Sequence, residues 1–521
     1  MTRPSRWRAT CSRAAIAVPA MAVGALSLLP FAYLFAAGIS TEAIGRLFTY
    51  PTTTGDILRT VGLTLSVSAT CVVVGVGGAI LLVRTTIPFR KLLTVLLAMP
   101  LAIPGFVAAY AAYSANLMFA PRTNIVTTFA GATAILALTL YPYVFLASIV
   151  AVRNVDPAQE EVALSLGVRP AAVFWRVTAP QLRPAIASSV LIVALHVLSE
   201  YGAMVQLRQR TLTTTIMANM LDYGDYESAR SLSLLLAGLA FALLAGGRLL
   251  TGPAHRQSVG SQTVRPPTRA RLGRAHLAVL AGVLVVPLLA LGPTGYMTIH
   301  GLTSPHRQLV IDWTQVLASA QVSLTYAVWA GLLASAVALP VAWWVSRYPS
   351  AWSNLTERSV WLAHAMPGAI LALALVFLAT RLVPGLYKTA GLLVIAYVIL
   401  YLPLAVANQR VGLHAALAKY DEAAASLGSG AWQRLRRVSL PIALPGLATG
   451  ALLVGLDASK ELTTTLMLLP FNTQTLATGL WATTNGESLD FTAASPYAVM
   501  LLALGSIPVY LIMRRTIRYI V

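Results

Sequence analysis

The chain has 521 residues, of which 57% are hydrophobic and only 10% charged, and its mean hydropathy is +0.74. Soluble domains carry about a quarter charged residues, so this composition excludes an ordinary water-soluble globule. The net charge of +20 would point to nucleic acid in a soluble protein, but here the arginines sit in loops beside apolar runs, where they set helix orientation.

Runs long enough to cross a bilayer, about 20 residues of helix, recur along the chain. In order they are Ala14–Ala37, Thr60–Val83, Leu92–Ala120, Thr123–Val152, Pro184–Leu207 and Ser231–Gly247. Then come Leu277–Thr298, Val316–Ser346, Ser359–Thr380, Thr389–Gln409, Ile442–Phe471 and Phe491–Met513. Only Pro184–Leu207 and Ile442–Phe471 contain charged residues. The runs lack the two-residue alternation of barrel strands, so they predict an all-α polytopic membrane protein of about twelve transmembrane helices.

Arg3, Arg6, Arg8 and Arg13 precede the first run and place the N-terminus in the cytoplasm. Alternation then brings inside Arg84, Arg90 and Lys91, the loop with Arg153, Arg169, Arg176 and Arg183, and the segment with Arg256, Arg265, Arg269, Arg271 and Arg274. Arg514, Arg515 and Arg518 follow, so both termini are expected in the cytoplasm, and outside loops keep scattered cations such as Arg46, Arg122 and Arg307. The first run is long, holds Pro19 and Pro30 and shows no obvious cleavage site, so it reads as a retained helix. Cys11 and Cys71 support neither a disulfide framework nor a thiolate metal site.

The chain is written twice. "EEVALSLGVRPAAVFWRVTAP" (Glu160–Pro180) recurs as "DEAAASLGSGAWQRLRRVSLP" (Asp421–Pro441). Glu161, Ala163, Ser165, Leu166, Gly167, Arg176, Val177, Pro180 and Pro184 all have identical partners 261 positions later, as does Pro142 in the preceding run. Ten identities at one offset define an internal repeat, and six crossings per copy give parallel repeats about an axis along the membrane normal. The expected organisation is a tail over 1–13, a first half over 14–250, a Pro-, Gly- and Arg-rich cytoplasmic linker over 251–274 and a second half over 275–521.

Each repeated loop predicts a helix–turn–helix elbow. Asp156 is an N-cap candidate, with Pro157 at the first helical position and Gln159 placed for a capping box, and Asp421 caps the second copy. Each short helix stops at a glycine, Gly167 or Gly428, and the following helix is halted by Pro180 or Pro441. A merely structural loop needs no such fixed spacing twice over. The expected role is docking to a cytoplasmic partner, with a clamp on lipid headgroups as the alternative.

Glu-Ala-Ala, a glycine six positions after the glutamate and a proline thirteen after the glycine resemble the EAA loop of bacterial ABC-importer permeases. The resemblance covers nearly the whole chain and implies two type I permease units, at about 57–250 and 316–515. It implies that Glu161, Ala163, Gly167 and Pro180, with Glu422, Ala423, Ala424, Gly428 and Pro441, form coupling helices seated in ATPase subunits. One departure is Val162, where the motif has alanine. The lysines are Lys91, Lys388, Lys419 and Lys460, and none follows a glycine, so the chain has no phosphate-binding P-loop. It is therefore expected to bind no cofactor itself, with ATP and Mg held by two copies of a separate ATPase. An extracytoplasmic substrate-binding protein and membrane lipid complete the expected partners, nucleic acid is not one, and the location is the bacterial cytoplasmic membrane.

Charged residues inside membrane helices mark interior faces. His196 and Glu200 are four apart in the fifth run, hence on one helical face, and the repeat offset carries them onto Asp457 and Glu461, with Lys460 beside them. These five are candidates for the translocation path, with Glu200 and Glu461 facing each other across the repeat axis. Hard cations prefer such oxygen ligands, so a transient metal contact at these two glutamates is one reading, and helix packing or a gate is the other. "DASKELTTTLMLLPFNTQTLATGLW" (Asp457–Trp481), "LSEYGAMVQL" with "TLTTTI", "AMPLAIPGF" (Met99–Phe106) and "HAMPGAI" (His364–Ile370) resemble segments of fused ferric-iron importer permeases. Permeases for thiamine and for aminoethylphosphonate share the format. A secondary transporter driven by an ion gradient is the alternative of a different class, against which the paired elbows argue. A membrane enzyme is disfavoured because no nucleophile–base or metal-ligand cluster stands out at a membrane surface.

The arginine pattern makes a direct prediction about topology. Single cysteines placed in Asp222–Glu227 or Asn485–Asp490, in a cysteine-free background, should react with an impermeant thiol reagent from outside intact cells, whereas those in Thr251–Arg274 should not. Labelling of the linker from outside would overturn the twelve-helix orientation.

Overall fold

The structure is a computed structural model that describes residues 6–38, 45, 51–155, 157–251, 270–303, 311–364, 366–484 and 491–520. Among these residues the backbone is almost wholly helical, and the one extended pairing is an isolated bridge between Thr85 and Ala270. Among the described residues ten helices are long and apolar enough to cross a membrane, and the number is twelve when each of two bent helix pairs is counted as one span.

The first half contributes α1 (Arg6–Gly38), α2 (Pro51–Arg84), α3 (Arg90–Ala98) with a 3-10 turn over Met99–Ala102, α4 (Gly105–Phe119) and α5 (Phe129–Arg153). It continues with α6 (Pro157–Ser165), α7 (Pro170–Val173), α8 (Ala179–Ser199), α9 (Gly202–Gln206), α10 (Leu212–Leu221) and α11 (Tyr226–Thr251). The second half holds α12 (His276–Thr303), α13 (Trp313–Arg347), α14 (Ala351–His364), α15 (Gly368–Leu382) and α16 (Ala390–Ser426). After these come α17 (Ala431–Arg434), α18 (Leu440–Ser459), α19 (Thr463–Leu468), α20 (Leu476–Thr484) and α21 (Phe491–Ile520).

Helix ends follow local chemistry more closely than apolar runs do. α2 starts well before Thr60 and takes in Asp56, which is buried because Arg210 pairs with it at 3.0 Å and the Thr215 hydroxyl donates to it at 2.8 Å. α11 starts before Ser231, where the Asp225 carboxylate accepts the Ser228 N–H at 3.1 Å and satisfies an open helix end.

The third and ninth crossings, expected as single helices, are each broken in two. α3 and its 3-10 turn meet α4 at 96°, and α14 meets α15 at 100°. The breaks fall at Pro100 and Pro104 in one case and at Pro367 in the other. Proline has no N–H to give the helix and pushes the preceding residue into extended geometry, as at Ile103 with φ −88° and ψ 121°.

Two compact units cut the chain differently from the sequence repeat. One comprises Met1–Ile44 with Asp312–Trp481, and the other Gly45–Ile311 with Ala482–Val521. In the first, α13, α16 and α18 pack pairwise, and α1, from the opposite end of the sequence, lies on α13, α14 and α15. In the second, α2, α5 and α8 make the same pairwise set, α11 rests on α8 and α10, and α12 packs on α4 and α21. The core of this second unit gathers Leu63, Val67, Leu93, Leu97, Tyr141, Phe145 and Ile149.

The repeat is visible bond by bond. The Thr60 hydroxyl accepts the Leu212 N–H at 3.0 Å in one unit, and Ser323 accepts the Leu476 N–H at 2.8 Å in the other. Just before each of these joints the chain reverses through a left-handed residue, Arg208 (φ 53°) or Asn472 (φ 56°).

Candidate functional site

The elbows are built as hairpins closed by glycine. Gly167 has φ +77° and Gly428 φ +83°, a region that costs a residue with a Cβ about 1 kcal/mol. The N–H of Val168 reaches the Ala163 carbonyl at 3.1 Å and that of Ser429 reaches Ala424 at 3.1 Å, closing each helix end in the same way. No atom lies within 4 Å of where a Cβ would stand at either glycine, so backbone conformation and not crowding selects it.

Two expectations about the elbows are corrected. Pro180 and Pro441 do not halt the second helix. A π-helical turn, Phe174–Thr178 or Leu435–Ser439, precedes them and the helix runs on as α8 or α18. The wider turn removes the clash between the proline ring and the carbonyl four residues back. Nor does a capped helix begin at Asp421, because α16 runs unbroken from Ala390 to Ser426. In the first copy Pro157 opens a separate α6, but the repeat offset puts Ala418 in its place, which lets the helix continue. Asp156, residues 252–269 and 485–490 and the side chains of Asp421 and Glu422 lie outside the described residues.

The first elbow turns an apolar surface outward. Glu161 and Val162 are exposed, Ala163 and Pro180 are half-buried, and Leu166 and Trp175 are 77% and 70% exposed. In the second, Ala423 and Pro441 are exposed, Ala424 is half-buried and Leu427 is 85% exposed.

Sequence reading missed the residue that anchors the first elbow. It is Glu160, not Glu161, that turns inward. Its carboxylate receives both Arg84 guanidinium nitrogens, at 2.6 and 2.9 Å, and the Thr178 hydroxyl donates to the same group. The available signal was an acid at this position in both copies, Glu160 and Asp421, with an arginine, Arg84 or Arg347, closing an earlier helix of each half.

Glu200 and Glu461 do not share a continuous helix face with His196 and Asp457. α8 stops at Ser199 and leaves Glu200 extended (φ −72°, ψ 121°), so the four-residue spacing from His196 spans a helix end. α18 likewise stops at Ser459, before Lys460 and Glu461. Glu200 Oε1 accepts the Ala203 N–H at 3.0 Å and Glu461 Oε1 accepts the Thr464 N–H at 2.9 Å, each at the start of the next short helix. The same carboxylates press on the first residue of the broken partner helix. A Cβ on Gly105 would stand 2.9 Å from Glu200 Oε2, and one on Gly368 would stand 3.1 Å from Glu461 Oε1 and 2.6 Å from Thr464 Oγ1. Each unit thus has a joint where a half-buried carboxylate caps one helix start and lies close against the glycine that opens another.

The surroundings differ between the copies. His196 lies tilted against Tyr143, with ring centroids 5.0 Å apart and planes at 41°, and its Nδ1 is 3.1 Å from the Ile192 carbonyl oxygen. Its counterpart Asp457 is buried and paired with Lys460 at 2.8 Å, while the Tyr401 hydroxyl donates to Glu461 Oε2 at 2.9 Å. Among the described residues no group of three or more His, Cys, Asp or Glu side chains is placed to hold a metal ion.

Residues 72–250 and 327–521 match a family described as the inner membrane component of binding-protein-dependent transport systems. The chain belongs to that family. This permease is 30% identical to the Fe(3+)-transport system permease protein FbpB 2 of Haemophilus influenzae, over 94% of its own length and 96% of that protein. It is 31% identical to the molybdenum transport system permease protein ModB of Mycobacterium tuberculosis, over 38% of its length and 80% of that protein. The sulfate transport system permease protein CysW of Synechocystis is 26% identical over 36% of the permease and 71% of that protein. Permeases of this family are not themselves enzymes, and the ATPase is a separate subunit.

The joints give a stability prediction. Gly105→Ala and Gly368→Ala should each lower the melting temperature of the purified permease, at a cost of about 1–3 kcal/mol for overpacking. Gly385→Ala, at an open site, should not. Equal melting of all three variants would remove the carboxylate–glycine contact from the fold's supports.

Proposed function

We propose that this permease forms the membrane pathway of an ATP-driven importer for iron(III), handed over by an extracytoplasmic binding protein. The observation that carries the substrate is the reach of the similarity: the iron(III) permease aligns over both halves, whereas the molybdenum and sulfate permeases align over about half the chain or less. Iron is cargo in this reading, without a resident site. Glu200 and Glu461 each spend a carboxylate oxygen on capping a helix, which favours a joint beside the route over a ligand set.

Each elbow is read as the seat of one ATPase subunit on the cytoplasmic side. The exposed Leu166, Trp175 and Leu427 supply apolar area for such a contact, and Gly167 and Gly428 fix its shape. Because the π turns join the elbows to α8 and α18 without a break, a push on an elbow arrives first at the helices that end on Glu200 and Glu461.

Proteoliposomes containing the permease, its ATPase and the binding protein should accumulate iron(III) when ATP is supplied. Uptake should stop with vanadate and persist when a protonophore collapses the ion gradient. Preferred uptake of molybdate, sulfate, thiamine or aminoethylphosphonate would overturn the iron reading and leave the architecture standing. Uptake that needs the gradient and ignores vanadate would favour a secondary transporter.

The elbows carry their own test. Gly167→Glu with Gly428→Glu should leave the protein in the membrane while substrate-stimulated ATP hydrolysis falls about tenfold, within the usual span of coupling energies. Normal coupled transport by that double variant would show that the glycines do not shape the contact.

A further inference from the structure

Arg84 is the last residue of α2, and it stands where four segments meet. Its guanidinium forks the Glu160 carboxylate of α6, and Glu160 also takes the Thr178 hydroxyl from the π turn that leads into α8. Its main chain is engaged as well: the Ala270 N–H donates to the Arg84 carbonyl at 2.8 Å, and the Thr86 N–H donates back to the Ala270 carbonyl at 3.1 Å. Ala270 lies just ahead of α12. Arg84 and Glu160 together therefore tie α2 to both arms of the first elbow, and the Arg84 main chain ties it to the approach to α12.

We propose that the Arg84–Glu160–Thr178 cluster is a positioning device that makes the first elbow and α2 move as one body, so that force on the elbow is delivered to α2 as well as to α8. The inference rests on reading the elbow as the ATPase seat.

Three features favour a transmitting role over a merely local one. The pair is well shielded, with side chains 16% and 12% exposed, so solvent screening is weak. The contact is bidentate, which fixes angle as well as distance, and a lysine would not reproduce it. It also links segments far apart in sequence without using the exposed Glu161, Leu166 or Trp175, which remain available for the partner. The same residue types recur in the sequence of the second copy: Asp421 and Ser439 at the 261-residue offset, and Arg347, two positions beyond that offset, at the end of α13.

The test places spin labels at Leu58, exposed on α2 far from Arg84, and at Leu166, exposed at the tip of the elbow. The full chain, with Cys11 and Cys71 replaced, is assembled with its ATPase in nanodiscs. In the parent protein the distance distribution should be narrow and unmoved by ATP with vanadate. Arg84→Gln or Glu160→Gln should broaden it and make it shift with nucleotide. The exchanged pair, Arg84→Glu with Glu160→Arg, should narrow it again. A distribution in Arg84→Gln that matches the parent with and without nucleotide overturns the proposal. If Arg84→Gln does not insert, Thr178→Val decides, because loss of one arm should give intermediate width, and parental width counts against the cluster. Absence of co-purifying ATPase in the parent would instead refute the docking reading, while the nucleotide-free widths would still judge the cluster.

Discussion

Lipid hydrocarbon offers a backbone no hydrogen-bond partner, so every interruption of a helix inside the membrane must be satisfied by the protein itself. The permease interrupts its helices repeatedly, and each interruption comes with its remedy. Where α8 and α18 stop, Glu200 and Glu461 turn their carboxylates onto the N–H groups of the next helix. Where the third and ninth crossings break, the new helix starts at Pro-Gly, so one N–H is missing and the next residue is small enough to let the carboxylate approach. A charged side chain is costly to bury in isolation, but here each carboxylate satisfies a backbone N–H that the helix start leaves open.

The halves share this scheme and differ in its chemistry. Asp56 pairs with Arg210 in one copy, whereas in the other Ser319 meets Gln474 at 3.4 Å, a neutral version of the same contact. His196 with Tyr143 is matched by Asp457 with Lys460, and Glu461 receives the Tyr401 hydroxyl. Pro157 divides the first elbow from the crossing before it, while Ala418 leaves the second continuous with α16. The duplicated frame therefore tolerates exchange of charge for hydrogen bonding wherever the backbone demand is met either way.

Within the first elbow the two adjacent acids divide the work. Glu160 faces inward and accepts three charge-assisted or hydroxyl bonds, and Glu161 faces out beside an apolar surface. Inward and outward faces one residue apart are possible because successive helical positions turn by about 100°. A rigid interior and an adhesive exterior can then vary independently.

Much of this architecture is legible in the sequence. Run length gave twelve crossings, the 261-residue offset gave the repeat, and glycine at the elbow turns announced its left-handed backbone, because each depends only on local chemistry and spacing. What the sequence could not supply were contacts between distant segments. Glu160 and Glu161 look alike until Arg84 is brought beside one of them. Glu200 reads as a residue on a continuous helix until α8 ends at Ser199 and the Ala203 N–H donates to its Oε1, with Gly105 close beside Oε2. Pro180 reads as a stop until a π turn makes room for it. The repeat likewise divides the sequence into halves, yet α1 packs with α13, α14 and α15 and α12 with α4. Periodicity along a chain fixes which residues are apolar and where helices can run; which helices meet is decided by side-chain fit across hundreds of residues, and only the folded chain expresses it.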